Sequence, residues 1–524
     1  MRSGWAIGGA CALLVGTAPA SAKATEAGGM RIGSVAEVDT QSIRRAIETA
    51  RGAEATPPPT GSGAFHLTLE EALEMALQHN LPLQIATLDR DAAALGVPVA
   101  EAKFDPVPGF ELLAGDERFV DAPEDPLDAT PGEEIEQGTQ RADEEAGALF
   151  VRQELHSAGT LTLSGGLVRD AERLPDEVGE DDYEGGATLL LRQPLLRGGG
   201  FTVGNREIQE AGYSRDIFDA QLQAAVLNIS AQAQEAYWNT LLAQRLIEVS
   251  EQAIGRDREL IEASHALFRA GRANQRDVVS AGIRLADDES LLAVRRGEVE
   301  RRQLLLRDVL GLPIGEPISL AEQTVPFEPV EIQLGEWIER ALANRPELLL
   351  LAARLGQSAL AVRLAGNAVL PALDFLGAYT RSYFDATSRK AWGFESQAWA
   401  AGLHFEIPIG NVAARDKLRQ AKLLHERVER ELRNQRRQIE IEVRTETIGL
   451  AQTLENLSAQ TAKLEDSRAK LEIANTRYQL GLANNFDVTD AQNDLVDAES
   501  ALLQGIVDYA NGLVRLEARM AGPL

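Results

Sequence analysis

One eight-residue pattern occurs twice in the chain, and that repetition limits what it can fold into. Gly271-Arg272-Ala273-Asn274-Gln275-Arg276-Asp277-Val278 and Gly481-Leu482-Ala483-Asn484-Asn485-Phe486-Asp487-Val488 both read Gly-x-Ala-Asn-x-x-Asp-Val. Each lies between two long stretches of helical composition. Glycine takes the left-handed conformation that ends a helix without steric cost. The aspartate is expected at the N-cap of the outgoing helix, where its oxygen accepts orphan N–H groups. Each copy therefore predicts a tight helix–turn–helix reversal between very long helices.

The N-terminus reads as a targeting segment. Arg2 is a short positive region, Ile7 to Val15 is apolar, and Ala20-Ser21-Ala22 is a cleavage pattern, so residues 1–22 are expected to be a secretory signal peptide. The single cysteine, Cys11, lies inside that apolar run, so no disulfide is expected in the remainder. No run of 18 or more apolar residues follows, so no membrane-spanning helix is expected. A β-barrel stays open, because its signal per strand is weak. The net charge of −28 argues against a nucleic-acid partner, which needs a basic footprint.

Residues 23–66, with Pro57-Pro58-Pro59, read as a disordered or extended leader. Thr68 with Glu71 is a capping-box start for a helix that breaks near Asn80-Leu81-Pro82 and resumes to about Lys103. From Phe104 to Gly200 the texture turns strand-like, near Val107–Ala114, Leu149–Leu155, Thr160–Val168 and Gly186–Gln193. Two acidic stretches, 116–146 and 170–186, read as solvated loops. Asn205 to Ala270 is one helix of about 100 Å at 1.5 Å per residue, with Phe218, Leu222, Ala225, Ile229, Ala233 and Ala236 at coiled-coil spacing. After the first reversal a shorter helix returns to Leu310.

Residues 311–333 form a Pro-rich linker, and the programme then repeats over 334–524. Equivalent points lie 265 residues apart at Ala76 and Ala341, 214 at Pro194 and Pro408, and 210 at Gly271 and Gly481. The shortfall lies in the first strand region, in its acidic loops and an extra hairpin. Residues 67–310 and 334–524 are thus expected to be two copies of one helix–strand–strand–helix–helix unit. Four strands, or six with the extra hairpin, cannot close a barrel in a membrane, since known ones start at about eight strands. Strands that span a membrane here must be shared among several chains.

These elements resemble the TolC-like outer membrane efflux proteins. The resemblance rests on the duplicated Ala-Leu-x-x-Asn helix start at Ala76 and Ala341 and on the Gln193-Pro194-Leu195 corner before Gly198-Gly199. The Ile407-Pro408-Ile409-Gly410 corner and the two reversals complete it, over nearly all of residues 67–518. It implies a homotrimer in which long α-helical hairpins form a periplasmic α-barrel. That barrel joins a 12-stranded outer-membrane β-barrel, four strands per protomer. It implies a passive exit duct for tripartite efflux or type I secretion. The partners would be a periplasmic adaptor (a membrane fusion protein), an inner-membrane transporter and outer membrane lipid. The place would be the cell outer membrane, extending into the periplasm.

The resemblance also proposes sites. Asp487 and Asp490 match positions where aspartates ring the periplasmic constriction, and a carboxylate ring favours cations. Asp487 and Asp277 have a plainer reading as helix caps. Arg269, Gly271, Arg272, Asp277 and Gly481 fall at the helical tips, where the family meets its adaptor. The arginine that latches the closed tip in the family is replaced by Ala483. Trp392, Trp399, Tyr379 and Tyr383 suit an interfacial aromatic belt. Gly198-Gly199-Gly200 lacks the Lys-Ser/Thr of a phosphate loop and reads as a strand-to-helix turn. The six histidines lack metal-ligand spacing, and no nucleophile arrangement is present, so neither enzyme activity nor a cofactor is expected. The rival class is a soluble periplasmic coiled-coil adaptor or structural protein, which predicts a lipoyl-like β domain between the helices.

Overall fold

A computed structural model describes residues 65–120, 139–173, 181–315, 318–385, 388 and 394–522. The expected signal peptide with Cys11, nearly all of the leader, and Trp392 lie outside the described residues. The first half runs β1 (Phe65–Leu67), α1 (Leu69–His79), α2 (Leu81–Glu101), β2 (Val107–Val120), β3 (Thr139–Glu154), β4 (Thr160–Arg173) and β5 (Asp181–Pro194). A single turn α3 (Phe201–Gly204) leads into α4 (Arg206–Arg269), and α5 (Gln275–Leu310) returns. The second half runs β6 (Ile318–Leu320), α6 (Leu334–Asn344), α7 (Pro346–Ala368), β7 (Ala372–Asp385), β8 (Ser396–Glu406), α8 (Val412–Gln479) and α9 (Asn485–Met520).

The helix boundaries follow local chemistry. Thr68 and Glu71 form the capping box that starts α1. Asn80 ends α1 and caps α2, its Oδ1 accepting from Leu83 N–H at 3.1 Å. Pro346 separates α6 from α7, because Arg345 before a proline is held extended. The two long helices run 64 and 68 residues, and each is followed by a returning helix of 36 residues.

Two expectations change. The segment ends 116–120, 139–146, 170–173 and 181–186 are not loops but the far ends of β2 to β5. A β ladder is built from backbone groups, so an acidic sequence does not prevent it. The linker and the leader also contribute strands, since β1 pairs in parallel with β6. One helix departs from the apolar-run criterion: Pro346–Ala368 is long and apolar enough to cross a bilayer by length and composition. Its average passes although Glu347, Arg354 and Arg363 interrupt any continuous run, and the helix packs along α4 and α8.

Apolar seams hold the helices. Tyr237, Trp238, Leu241, Leu306 and Leu310 form a core with Leu67, Ala72 and Ala76. The Tyr237 hydroxyl donates to the Leu67 carbonyl at 2.9 Å, so the buried phenol is satisfied. On α9, Leu495, Ala498, Tyr509, Leu513 and Leu516 are buried, and on α4 so are Leu222, Ile229 and Ala233 of the stripe read from the sequence. The strands form one antiparallel sheet in the order β2-β3-β4-β5-β7-β8. Asn367, near the end of α7, fastens the turn after β5: its Oδ1 accepts from Gly198 N–H at 2.7 Å and its Nδ2 donates to Leu196 O at 3.1 Å. A Cβ on Gly199 would stand 2.2 Å from the Pro194 carbonyl oxygen, so the corner requires glycine there.

Candidate functional site at the helical tips

The two reversals close identically. Gly271 has φ +69° and Gly481 has φ +76°. Arg272 N–H donates to Leu267 O at 2.8 Å, and Leu482 N–H donates to Arg477 O at 2.8 Å. These bonds close each helix end in a Schellman turn, which favours glycine at the left-handed position.

The capping differs from expectation. The N-caps are Asn274 and Asn484, and Asp277 and Asp487 stand three residues later. The Asp487 carboxylate accepts from Asn484 N–H at 3.3 Å, while Asn484 Oδ1 accepts from Asp487 N–H at 3.0 Å. Asp277 accepts from Asn274 N–H at 3.0 Å. The extended backbone at each asparagine is what an N-cap requires, and an acid three residues on reaches back to complete a capping box.

Arg269, Gly271, Arg272 and Gly481 are exposed at the tips; Asp487 is exposed and Asp277 half-buried. Asp490, one turn into α9, is exposed and pairs with Lys470 Nζ of α8 at 2.5 Å. The same ammonium reaches Asp494 at 2.6 Å. Hydrogen bonds to Asp490 and then Asp494 hold the Lys470 ammonium above its ordinary pKa. Asp490 therefore shares one lysine with a second aspartate, and neither Lys470 nor Asp494 lies in the repeated eight-residue pattern.

Two contacts join the hairpins where Ala483 supplies none. Asn485 Nδ2 donates to the Asp277 carbonyl at 2.7 Å. The Ser264 and Tyr478 hydroxyls lie 2.8 Å apart, and burial pushes the Tyr478 phenol upward. Val488, Ala491 and Leu495 pack beneath them against Leu260, Ala281 and Leu471. The sequence held one signal for this contact: Asn485 and Tyr478 stand where the first copy has Gln275 and Phe268. Leu480, Leu482, Phe486 and Phe268 leave apolar surface exposed around the tips.

Farther along the hairpin, Asp257 of α4 and Asp288 of α5 are buried together. Arg284 Nη2 lies 2.9 Å from Asp288. Burial, then hydrogen bonding to Asp288 and its charge, push the Asp257 carboxyl up to about 7, against the opposing pull of Arg284 and Arg256.

The sheet has two distinct faces. Residues directly opposite across antiparallel pairs point the same way. The register places Phe110, Leu149, Gly165, Ala187, Arg381 and Gln397 on one face, and two residues toward the helices it places Pro108, Val151, Leu163, Leu189, Tyr379 and Trp399 there. The opposite face carries Glu111, Thr162, Ser164, Thr188, Arg192, Asp374 and His404. Trp399 is 80% exposed in the protomer and pairs with Tyr379. Aromatics flanked by leucines on one face suit lipid, and the polar face suits water.

A family model described as "Outer membrane efflux protein" matches residues 160–312 and 337–522. The chain belongs to the outer membrane efflux protein family. Members are outer-membrane channels rather than enzymes, and they work with adaptors and inner-membrane pumps in tripartite systems. This protein is accordingly an outer-membrane efflux channel extending into the periplasm, not a soluble adaptor, and between its helices stands the six-stranded sheet instead of a lipoyl-like domain. Its fold is similar to that of the outer-membrane channel OprN, at a TM-score of 0.64 and 19% identity over 87% of this chain and 90% of that one. It is similar to CusC at 0.63 and 15%, covering 89% and 96%. The Campylobacter jejuni CmeC channel gives 0.62 and 17%, covering 87% and 85%. A comparison with curated protein sequences returns no match.

Proposed function

We propose that three copies of the chain assemble into a passive duct. The two halves are copies of one unit. Their hairpins α4–α5 and α8–α9 build a periplasmic α-barrel, and their strands share one β-barrel in outer membrane lipid. Cargo arrives from an inner-membrane pump through an adaptor that docks on the exposed tip residues Arg269, Gly271, Arg272 and Gly481. The observation that carries this reading is a sheet with one apolar face and two edges that pair with no other described strand, joined to long helical hairpins. Such edges are not tolerated in lipid unless another chain covers them.

The narrow point is the ring of second tips, where Asp487 and Asp490 of each copy present carboxylates. Reconstitution in planar bilayers tests the assignment. The wild-type channel is expected to conduct and to be blocked by divalent cations. Asp487→Asn combined with Asp490→Asn is expected to weaken that block. Block that persists unchanged in the double variant removes these residues from the constriction.

A further inference from the structure

The sheet has more strands than the resemblance implies. It holds six in one protomer, hydrogen-bonded without interruption from β2 to β8. Val107 of β2 and Ala372 of β7 both begin strands that follow equivalent helices, and their spacing is again 265 residues. The difference between the halves is thus a hairpin's worth of chain between β2 and β5. The added strands carry the same two-faced pattern as the others: Leu149, Val151 and Leu163 share the apolar face with Phe110, Leu189, Tyr379 and Trp399. A hairpin standing in water outside the barrel has no need of that face.

The edges fit each other. β2 runs away from the helices and β8 runs back toward them, so neighbouring copies meet antiparallel, like every other pair in the sheet. The row of partners that starts at Val107 passes through Arg152, Thr162, Leu190 and Ala378 to Ala400. It arrives six residues short of Glu406, the end of β8 nearest the helices. That stagger averages one residue per strand, the ratio that tilts barrel strands by about 36°. Helix α2, which feeds β2, presents Leu81, Ile85, Leu88, Ala92, Leu95 and Val99 to solvent. Their alternating spacing of about four and three residues is a coiled-coil seam, and no described residue of the protomer covers it.

We propose that β2 of one copy pairs with β8 of the next and that all six strands are embedded in the membrane. Resting on the trimer proposed above, this closes an 18-stranded barrel in place of a 12-stranded one. Circumference favours the larger count. At about 4.8 Å between strands and about 36° of tilt, 18 strands span roughly 107 Å and 12 span roughly 71 Å. Four helices per copy meet the sheet end, α2, α4, α7 and α8. Twelve helices at about 8–10 Å apart span roughly 95–120 Å. The wider barrel continues the helical cylinder without a step.

Aligning Glu406 with Val107 of the neighbour keeps the apolar faces continuous and sets Leu403 beside Phe110. Cys11 is the only native cysteine, so paired cysteines report cleanly on a C11S background. Phe110→Cys with Leu403→Cys is expected to oxidise to a covalent trimer on denaturing gels. Ala401→Cys and Phe405→Cys in place of Leu403→Cys cover a register shifted by two. A trimer in which Leu403→Cys links instead to Leu163→Cys overturns the inference, since β4 would then be the edge and the barrel would have 12 strands. A detergent-extracted trimer with no β2–β8 link in any register also overturns it and leaves the trimeric reading standing. A monomer in detergent overturns both.

Discussion

The side-chain amide of Asn485 donates to the main-chain carbonyl of Asp277 at 2.7 Å, tying one helical tip to the other. Asn485 is 1% exposed, and the bond crosses between the hairpins α8–α9 and α4–α5. Breaking it removes that tie between the two hairpins. Asn485→Ala is expected to cost about 1 kcal/mol of tip stability and to raise the resting conductance in planar bilayers. An unchanged resting conductance would show that this bond does not hold the tips together.

Tyr478→Phe tests the same junction from the other side. It removes the hydroxyl that faces Ser264 at 2.8 Å and leaves the ring in place. Amides around Ser264 and Tyr478 are expected to exchange hydrogen faster, with little change near the sheet. Equal protection in both proteins would make the contact incidental.

Lys470 is expected to set how much negative charge the second tip presents. Its ammonium binds both Asp490 and Asp494. Lys470→Gln should strengthen divalent-cation block, opposite in sign to Asp490→Asn. Block left unchanged by both changes would place Asp490 away from the conducting path.

The buried acid pair gives a pH signature. The Asp257 carboxyl sits at about 7 in the folded chain, above its ordinary 3.8. A raised carboxyl contributes stability that is fully present below the unfolded value and lost as pH rises through the folded one. Helix melting monitored by circular dichroism should therefore fall between about pH 4 and pH 7 and level off above. Asp257→Asn should flatten that slope. A slope that persists in the variant would assign it to other groups.

Much of this architecture was legible in the sequence, because punctuation and periodicity are local. Thr68 with Glu71, the glycines at 271 and 481 and the stripe on α4 each act within one or two turns. The capping of the tips was misassigned because both residues of the Asn-x-x-Asp pattern are good caps, and only backbone conformation separates them. The far ends of β2 to β5 were missed because a ladder of backbone hydrogen bonds needs no apolar side chains. Lys470 and Ser264 were missed for a different reason. They lie 20 and 214 residues from the groups they meet, Asp490 and Tyr478, and no local pattern encodes such a pairing.

A passive duct requires this chain to form a membrane-embedded assembly of several copies. The direct measurement is cell fractionation followed by the mass of the purified particle. The account predicts recovery from the outer membrane only with detergent, as a particle of three chains. Recovery from a periplasmic extract as a soluble monomer without detergent would contradict it.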